Sequence, residues 1–361
     1  MAAVVIGLAA TALAGRVLFD SSDELLTAAD TLTSVRPGWV VVAVLVEVLS
    51  YAARGAASAV VLRCGGDRVG LTVMGATTLA GDAAAYCLPF GFAASGVVTV
   101  GVLRRRQVGI ALASWMFAVS SVFYVAAITV LTIIAVQIPG EDNPIPGLQA
   151  ISIALLGALV LLGAGYALLR RPTIRRRLAR ALPGLRRRAG LGVNASTLRA
   201  GLGADASTLR AGLRAWAERL RTVRLTPAAG VAAFALMMVS WVADVAVLAL
   251  AFVALSATPP WTGLLLAYCA GQIAASMPVT PGGLGVVEGS ITLALVAFGG
   301  DKTVTLAAVL LYRLIAYWGC IPAGGLAWLT LRATSRAPAR QPVGTRPEPV
   351  VTGAAETERT S

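Results

Sequence analysis

Apolar residues run along this chain in long unbroken blocks. They show neither the alternation of a half-buried strand nor the polar stripe of a soluble amphipathic helix. A membrane-crossing helix needs about 20 predominantly apolar residues. Six blocks meet or approach that length: 1–18, 38–62, 108–137, 148–169, 228–255 and 304–331. The first is short, and its Ala12-Leu13-Ala14 resembles a signal-peptide cleavage site. No basic segment precedes it, so it reads as a span. Two more apolar regions break in the middle. Residues 71–103 are interrupted at Pro89-Phe90-Gly91, and residues 261–299 at Pro278-Val-Thr-Pro-Gly-Gly283. Each arm has about 15–17 residues, short for a crossing. Each region is therefore predicted to be a helical hairpin, either re-entrant or a tight pair of short spans.

The expected fold is an all-α polytopic membrane protein: six full spans plus two opposed broken-helix hairpins, or eight to ten membrane segments. An N-terminal membrane half (1–169, hairpin 71–103) and a C-terminal half (227–332, hairpin 261–299) flank an Arg-rich loop, 170–226. A tail, 333–361, is rich in Pro, Thr, Ala and Glu and reads as disordered. An inverted repeat of the two halves is inferred from this topology, not from identity between them.

Composition agrees with a membrane class. Of 361 residues, 57% are hydrophobic and 13% charged, against about 25% charged in soluble domains. The absence of histidine excludes His-based triads and His metal sites. The four cysteines are widely spaced, with no C-x-x-C pair and no disulfide framework.

The net charge of +13 raises the question of nucleic acid until the charges are located. The loop 170–226 holds fifteen arginines against Asp205 and Glu218. With that loop cytoplasmic, alternation puts twenty-five of the thirty basic residues inside, and leaves Arg16, Arg36 and Lys302 outside with seven acids. Both termini are then cytoplasmic, one hairpin enters from each face, and the expected location is the cell membrane. The charge reports topology, and no nucleic-acid partner is expected. Within the loop, Ala195–Leu202 recurs as Ala206–Leu213. The segment is either a solvated linker or an amphipathic helix whose arginines, over 170–224, contact the anionic inner leaflet.

Six charged residues fall at bilayer depth: Glu47, Arg54, Asp82, Asp244, Glu288 and Arg313. Each costs on the order of 3 kcal/mol by insertion scales. Four acids cannot all pair with two bases, so at least two are protonated or line a wet cavity. Glu47 and Arg54 lie seven apart on one helix face and either point into the bundle or snorkel to the interfaces. Asp82, Asp244 and Arg313 are otherwise read as polar contacts between helices. In the second hairpin, two prolines and three glycines across 278–285 break any helix. Backbone at membrane depth stays unwound only where protein buries it or a cavity wets it. The helix start that follows offers free N–H groups to an anion, and Glu288 either complements that helix dipole or meets a cationic head group or proton.

Pro281-Gly-Gly-Leu-Gly-Val-Val-Glu288, with Tyr312-Arg313 one span later, resembles the membrane domain of lysylphosphatidylglycerol synthases, a flippase-like family. The likeness continues through Trp241-Val-Ala-Asp244 and 264–272, and more loosely through Arg54 and the first hairpin. It implies lipid handling. In two-part relatives a soluble domain makes an aminoacylated phospholipid and the membrane domain moves it to the outer leaflet; others accompany glycosyltransferases acting on polyprenyl-linked sugars. The chain is expected to lack the synthase part, since about 30 residues follow the last span. Its first hairpin carries Gly91-Phe-Ala-Ala-Ser-Gly96 in place of the Gly-Glu pair often seen there in the family.

The expected function is translocation of an anionic or aminoacylated phospholipid, or a polyprenyl-linked lipid, between leaflets, without enzymatic activity, cofactor or metal. The site residues expected for head group or proton are Arg54, Asp82, Asp244, Pro281, Gly282, Gly283, Gly285, Glu288, Tyr312 and Arg313. The alternatives are an intramembrane transferase acting on a polyprenyl-phosphate lipid, and a membrane partner of a separate synthase, glycosyltransferase or aminoacyltransferase.

Overall fold

The computed structural model describes residues 35–88, 91–138, 157, 225–276 and 283–334, and among these it contains helices and no strand. Hydrocarbon offers no water to backbone N–H and C=O groups, and a helix satisfies them within one segment. The apolar blocks accordingly become α1 (Pro37–Cys64), α2 (Leu71–Cys87), α3 (Gly91–Arg105) and α4 (Ile110–Gln137) in the first half. The second half supplies α5 (Pro227–Ala254), α6 (Trp261–Ser276), α7 (Val286–Ala297) and α8 (Lys302–Thr334).

Helices α1, α4, α5 and α8 are long and apolar enough to cross a bilayer, and they coincide with the spans expected at 38–62, 108–137, 228–255 and 304–331. The spans expected at 1–18 and 148–169 (Gly157 apart), the Arg-rich loop as far as 224 and the tail from 335 lie outside the described residues. The boundaries have local causes. Prolines occupy the first turn of α1 and α5, where a missing N–H costs no intrahelical bond. Thr226 caps α5 by accepting from the Ala229 N–H at 3.3 Å, and Asp301 caps α8 by accepting from Val304 N–H at 2.9 Å.

Both broken regions form pairs of short helices that pack on each other, α2 with α3 and α6 with α7. The arms have 17, 15, 16 and 12 residues. The last is shorter than expected because Gly283 and Gly285, at φ +70° and +80°, keep the backbone turning until Val286. Helix α8 contains one π turn, Leu314–Trp318, in which the Gly319 N–H donates to the Leu314 carbonyl at 2.8 Å. Pro322 accounts for it: the ring has no N–H to give the residue 318 carbonyl and crowds it, so the ladder loosens just before.

The centre of the molecule is the pair α1 and α5. They run antiparallel, the Arg36 N–H at one end donating to the Ala254 carbonyl at 2.9 Å. They cross where the Ser50 and Ser240 hydroxyls meet at 3.1 Å, close to the middle of each 28-residue helix. Small buried residues such as Ala43, Ala57, Ala233 and Ala243 allow that approach. Large apolar side chains, among them Leu45, Val48, Val122, Val125, Val231 and Leu293, are exposed on the outer surface. Such a surface is costly in water and matched in lipid.

Packing of α2 on α1 is equally close. A Cβ added at Gly55 would lie 2.6 Å from the Gly75 Cα, with backbone on both sides. Gly55→Leu is expected to lower stability by about 1–3 kcal/mol or more through this overpacking. Thermal unfolding of the detergent-purified chain measures it, with Gly325→Ala, whose Cβ would meet nothing within 4 Å, expected to be silent.

Candidate functional site

All six charged residues expected at bilayer depth lie within the described helices, and they sort into two ion pairs and one acid pair. The first ion pair joins α1 to α2. Arg54 donates from Nη1 to Asp82 Oδ2 at 2.5 Å and from Nε to the Ser240 hydroxyl at 3.3 Å. Its guanidinium lies over the Tyr51 and Tyr124 rings, 5.1 and 5.2 Å from their centroids. A delocalised, weakly hydrated cation suits this aromatic, mostly buried setting better than an ammonium would.

The second ion pair joins α8 to the start of α7. Arg313 Nε donates to Glu288 Oε1 at 2.7 Å, and Glu288 Oε2 accepts the Gly285 N–H at 2.7 Å. Glu288 therefore caps its own helix, as the dipole reading expects, while its other oxygen holds the arginine. The positive φ of Gly285 turns that N–H toward the carboxylate. Arg313 also stacks over Tyr317, 4.1 Å from its centroid, and Tyr317 donates to the Tyr86 carbonyl at 3.3 Å. The two rings lie 4.6 Å apart, so the second ion pair reaches the end of the first hairpin's leading arm.

Between these lies the acid pair. Asp244 Oδ2 accepts from the Tyr268 hydroxyl at 2.5 Å and from the Tyr312 hydroxyl at 3.4 Å. Glu47, three residues before Ser50 on α1, and Asp244, four residues after Ser240 on antiparallel α5, lie on the same side of the α1–α5 crossing, and both are buried. Trp241 closes the side, stacked at 4.4 Å on Tyr124 and donating from Nε1 to the Tyr124 carbonyl at 3.1 Å.

Of the expected site residues among the described ones, Arg54, Asp82, Asp244, Gly285, Glu288, Tyr312 and Arg313 take part in these contacts, and Gly283 lies in the turn before α7 against Ala275 and Val287. Pro281 and Gly282 lie outside the described residues. Two expectations change. Both arginines hold carboxylates, so an anion reaching either one meets an existing ion pair. Glu47 does not snorkel; it is buried beside Asp244. The tyrosines other than Tyr312 escaped the sequence reading, although six of the seven (51, 86, 124, 268, 312 and 317) line these clusters. Except for Tyr86, near the end of α2, their position inside apolar blocks, away from the ends where tyrosine usually anchors a span, is the signal that marks them.

A wholly apolar groove of about 500 Å³ runs along the outside of α1, α5 and α6, lined by Val42, Val46, Val242, Ala249 and Trp261 among others. Val46 and Val245 in its wall are the chain neighbours of Glu47 and Asp244.

Long apolar helices, two short-helix hairpins and a tyrosine-lined ionic centre at bilayer depth define a helical membrane protein with a buried polar site. Across residues 1–324 the chain matches the family model described as lysylphosphatidylglycerol synthase TM region, and it belongs to that family. No curated protein matches it. The family gives the chain a membrane location and a lipid-related function.

Proposed function

We propose that this protein translocates a lipid between the leaflets of the cell membrane without altering it chemically, the head group passing through the ionic centre. The observation that carries this reading is the depth of that centre. Glu47 and Arg54 lie three and four residues either side of Ser50, so both are within roughly 6 Å of the α1–α5 crossing along the axis. Charges are kept at mid-depth, at the cost described above, where they serve a pathway. The cargo is an anionic or aminoacylated phospholipid, or a polyprenyl-linked lipid. Its phosphate competes with Asp82 or Glu288 for an arginine, and its chains lie in the apolar groove beside the acid pair.

An inverted repeat supports alternating access. Ser50 and Ser240, which touch, are 190 residues apart, and the same offset relates Pro37 to Pro227, Arg54 to Asp244 and Gly81 to Gly271. Buried positions recur with it: Ala43 and Ala233, Ala53 and Ala243, Ala59 and Ala249. Both glycines sit against the returning arm of their hairpin, a Cβ at Gly81 lying 2.7 Å from Ser95 Oγ and one at Gly271 2.5 Å from Ile291 Cγ1. The antiparallel pairing of α1 and α5 is what an inverted pair of halves requires, the arrangement on which many transporters are built. With cytoplasmic termini, the hairpin 71–103 faces the cytoplasm and 261–299 the outside. The Arg-rich loop then rests on the inner leaflet, each arginine contributing about 1 kcal/mol.

A leaflet-resolved lipid assay on cells carrying Glu288→Gln or Arg313→Ala tests the reading. Loss of the cargo from the outer leaflet is expected, measured per amount of folded protein in the membrane. Unchanged outer-leaflet lipid in both variants would overturn it.

A further inference from the structure

The acid pair has more carboxylate than the rest of the centre can satisfy. Arg54 is spent on Asp82 and Arg313 on Glu288, and among the described residues neither Glu47 nor Asp244 has an ion-pair partner within 4 Å. Both are more than nine-tenths buried, with relative exposures of 7% and 8%. Each also leaves one buried oxygen, Glu47 Oε2 and Asp244 Oδ1, without any hydrogen-bond donor, and the register set by Ser50 and Ser240 brings the two carboxyls to the same side of the α1–α5 crossing. An ionised carboxylate only accepts, so two of them in contact repel and offer one another nothing; a protonated carboxyl donates. One proton between them supplies the missing donor and removes one of two like charges from a buried site. Paired carboxyls in other proteins share a proton for the same electrostatic reason.

The surroundings favour a proton over a head group at this position. The titratable or charged neighbours are Tyr51 and Arg54 on α1, Asp82 on α2, Tyr124 on α4, Tyr268 on α6, and Tyr312 and Cys320 on α8. The phenols of Tyr268 and Tyr312 both donate to Asp244 Oδ2, which leaves Asp244 Oδ1 as the oxygen in need of a proton donor. Glu47 projects from α1 and Asp244 from α5, the two helices that relate the halves. A proton held between them therefore acts on the contact that any rocking of one half against the other must alter.

We infer that Glu47 and Asp244 form a proton-binding site at the centre of the bundle, taking up one proton from the aqueous phase in one conformation and returning it in another. Proton binding stands on the geometry alone. Its coupling to lipid movement rests on the translocase reading above.

The test is infrared difference spectroscopy of the full-length protein in vesicles of phosphatidylglycerol and phosphatidylethanolamine, with no cargo lipid added. A pH step is expected to produce the carbonyl band of a protonated carboxyl, shifted by exchange into heavy water. That band should be lost in Glu47→Gln and in Asp244→Asn, and kept in Glu288→Gln. Absence of the band in the wild-type protein, or its survival in the double variant Glu47→Gln/Asp244→Asn, overturns proton binding. A sodium-dependent rise in thermal stability without the band also overturns it, in favour of a metal cation. Coupling is read separately, by imposing a pH gradient across the vesicles and measuring lipid movement. Movement that ignores the gradient while the band is present overturns the coupling alone, whereas no movement under any condition counts against the translocase reading.

Discussion

Replacing Arg313 with alanine is expected to destabilise the folded protein by about 3–5 kcal/mol, the usual cost of stripping one partner from a buried ion pair. Glu288 would keep its charge in a site where the two side chains are only 8% and 14% exposed, with its cation removed. Glu288→Gln is expected to cost less. The amide oxygen can still accept the Gly285 N–H, so the start of α7 keeps its cap and only the ion pair is lost. Equilibrium unfolding in mixed detergent micelles, followed by tryptophan fluorescence, separates these cases. Both variants leave the cap in place, so equal losses would mean that the carboxylate stripped of its cation costs nothing beyond the lost pair.

The second large effect is expected at Arg54 and Asp82. Arg54→Leu and Asp82→Leu should each cost about 3–5 kcal/mol, and the double variant distinctly less than their sum, because it leaves no orphaned charge. Apolar replacements of a buried pair are often neutral in stability, and here the double variant also enters a lipid-compatible bundle. Lipid movement discriminates role from scaffold. If Arg54 receives a phosphate, all three variants lose transport, and the double variant is folded but inactive. Recovery of transport in the double variant would reduce the pair to a structural contact. The ring contacts from Tyr51 and Tyr124 predict that Arg54→Lys does not substitute for arginine, since the ammonium loses the planar stacking and the second donor toward Ser240.

Much of the architecture was legible before any coordinate. Helix existence at 38–62, 108–137, 228–255 and 304–331 follows from block length, because a bilayer leaves the backbone no alternative. The hairpin breaks follow from proline and glycine in the middle of apolar regions. The short final arm was less legible, since it depends on where the backbone leaves positive φ, at Gly285, and several of the nearby glycines could have ended the turn.

The composition of the site was also legible, and its wiring was not. A charged residue in an apolar block is conspicuous, so Arg54, Asp82, Asp244, Glu288 and Arg313 stood out by type alone. Tyrosine is half apolar and does not stand out, which is why Tyr268, whose hydroxyl reaches Asp244, was passed over. Glu47 was conspicuous but ambiguous. Ten residues into its helix, it could have pointed to the interface or the core, and helical spacing is the same either way.

By itself, then, the sequence determined that this is a helical membrane protein of the lysylphosphatidylglycerol synthase TM family, with two interrupted hairpins and four acids for two bases at depth. Local chemistry suffices for that, because hydrophobicity, proline and charge act at the residue that carries them. Only the tertiary structure decided which acid takes which base. The pairing of Arg54 with Asp82 and of Arg313 with Glu288 depends on how helices from distant parts of the chain cross. The antiparallel crossing at Ser50 and Ser240 then brings the two acids left over, Glu47 and Asp244, against each other. An ion pair needs its two groups in contact, and in this bundle the contacts join different helices, so a residue's partner is set by helix packing and not by its neighbours in sequence.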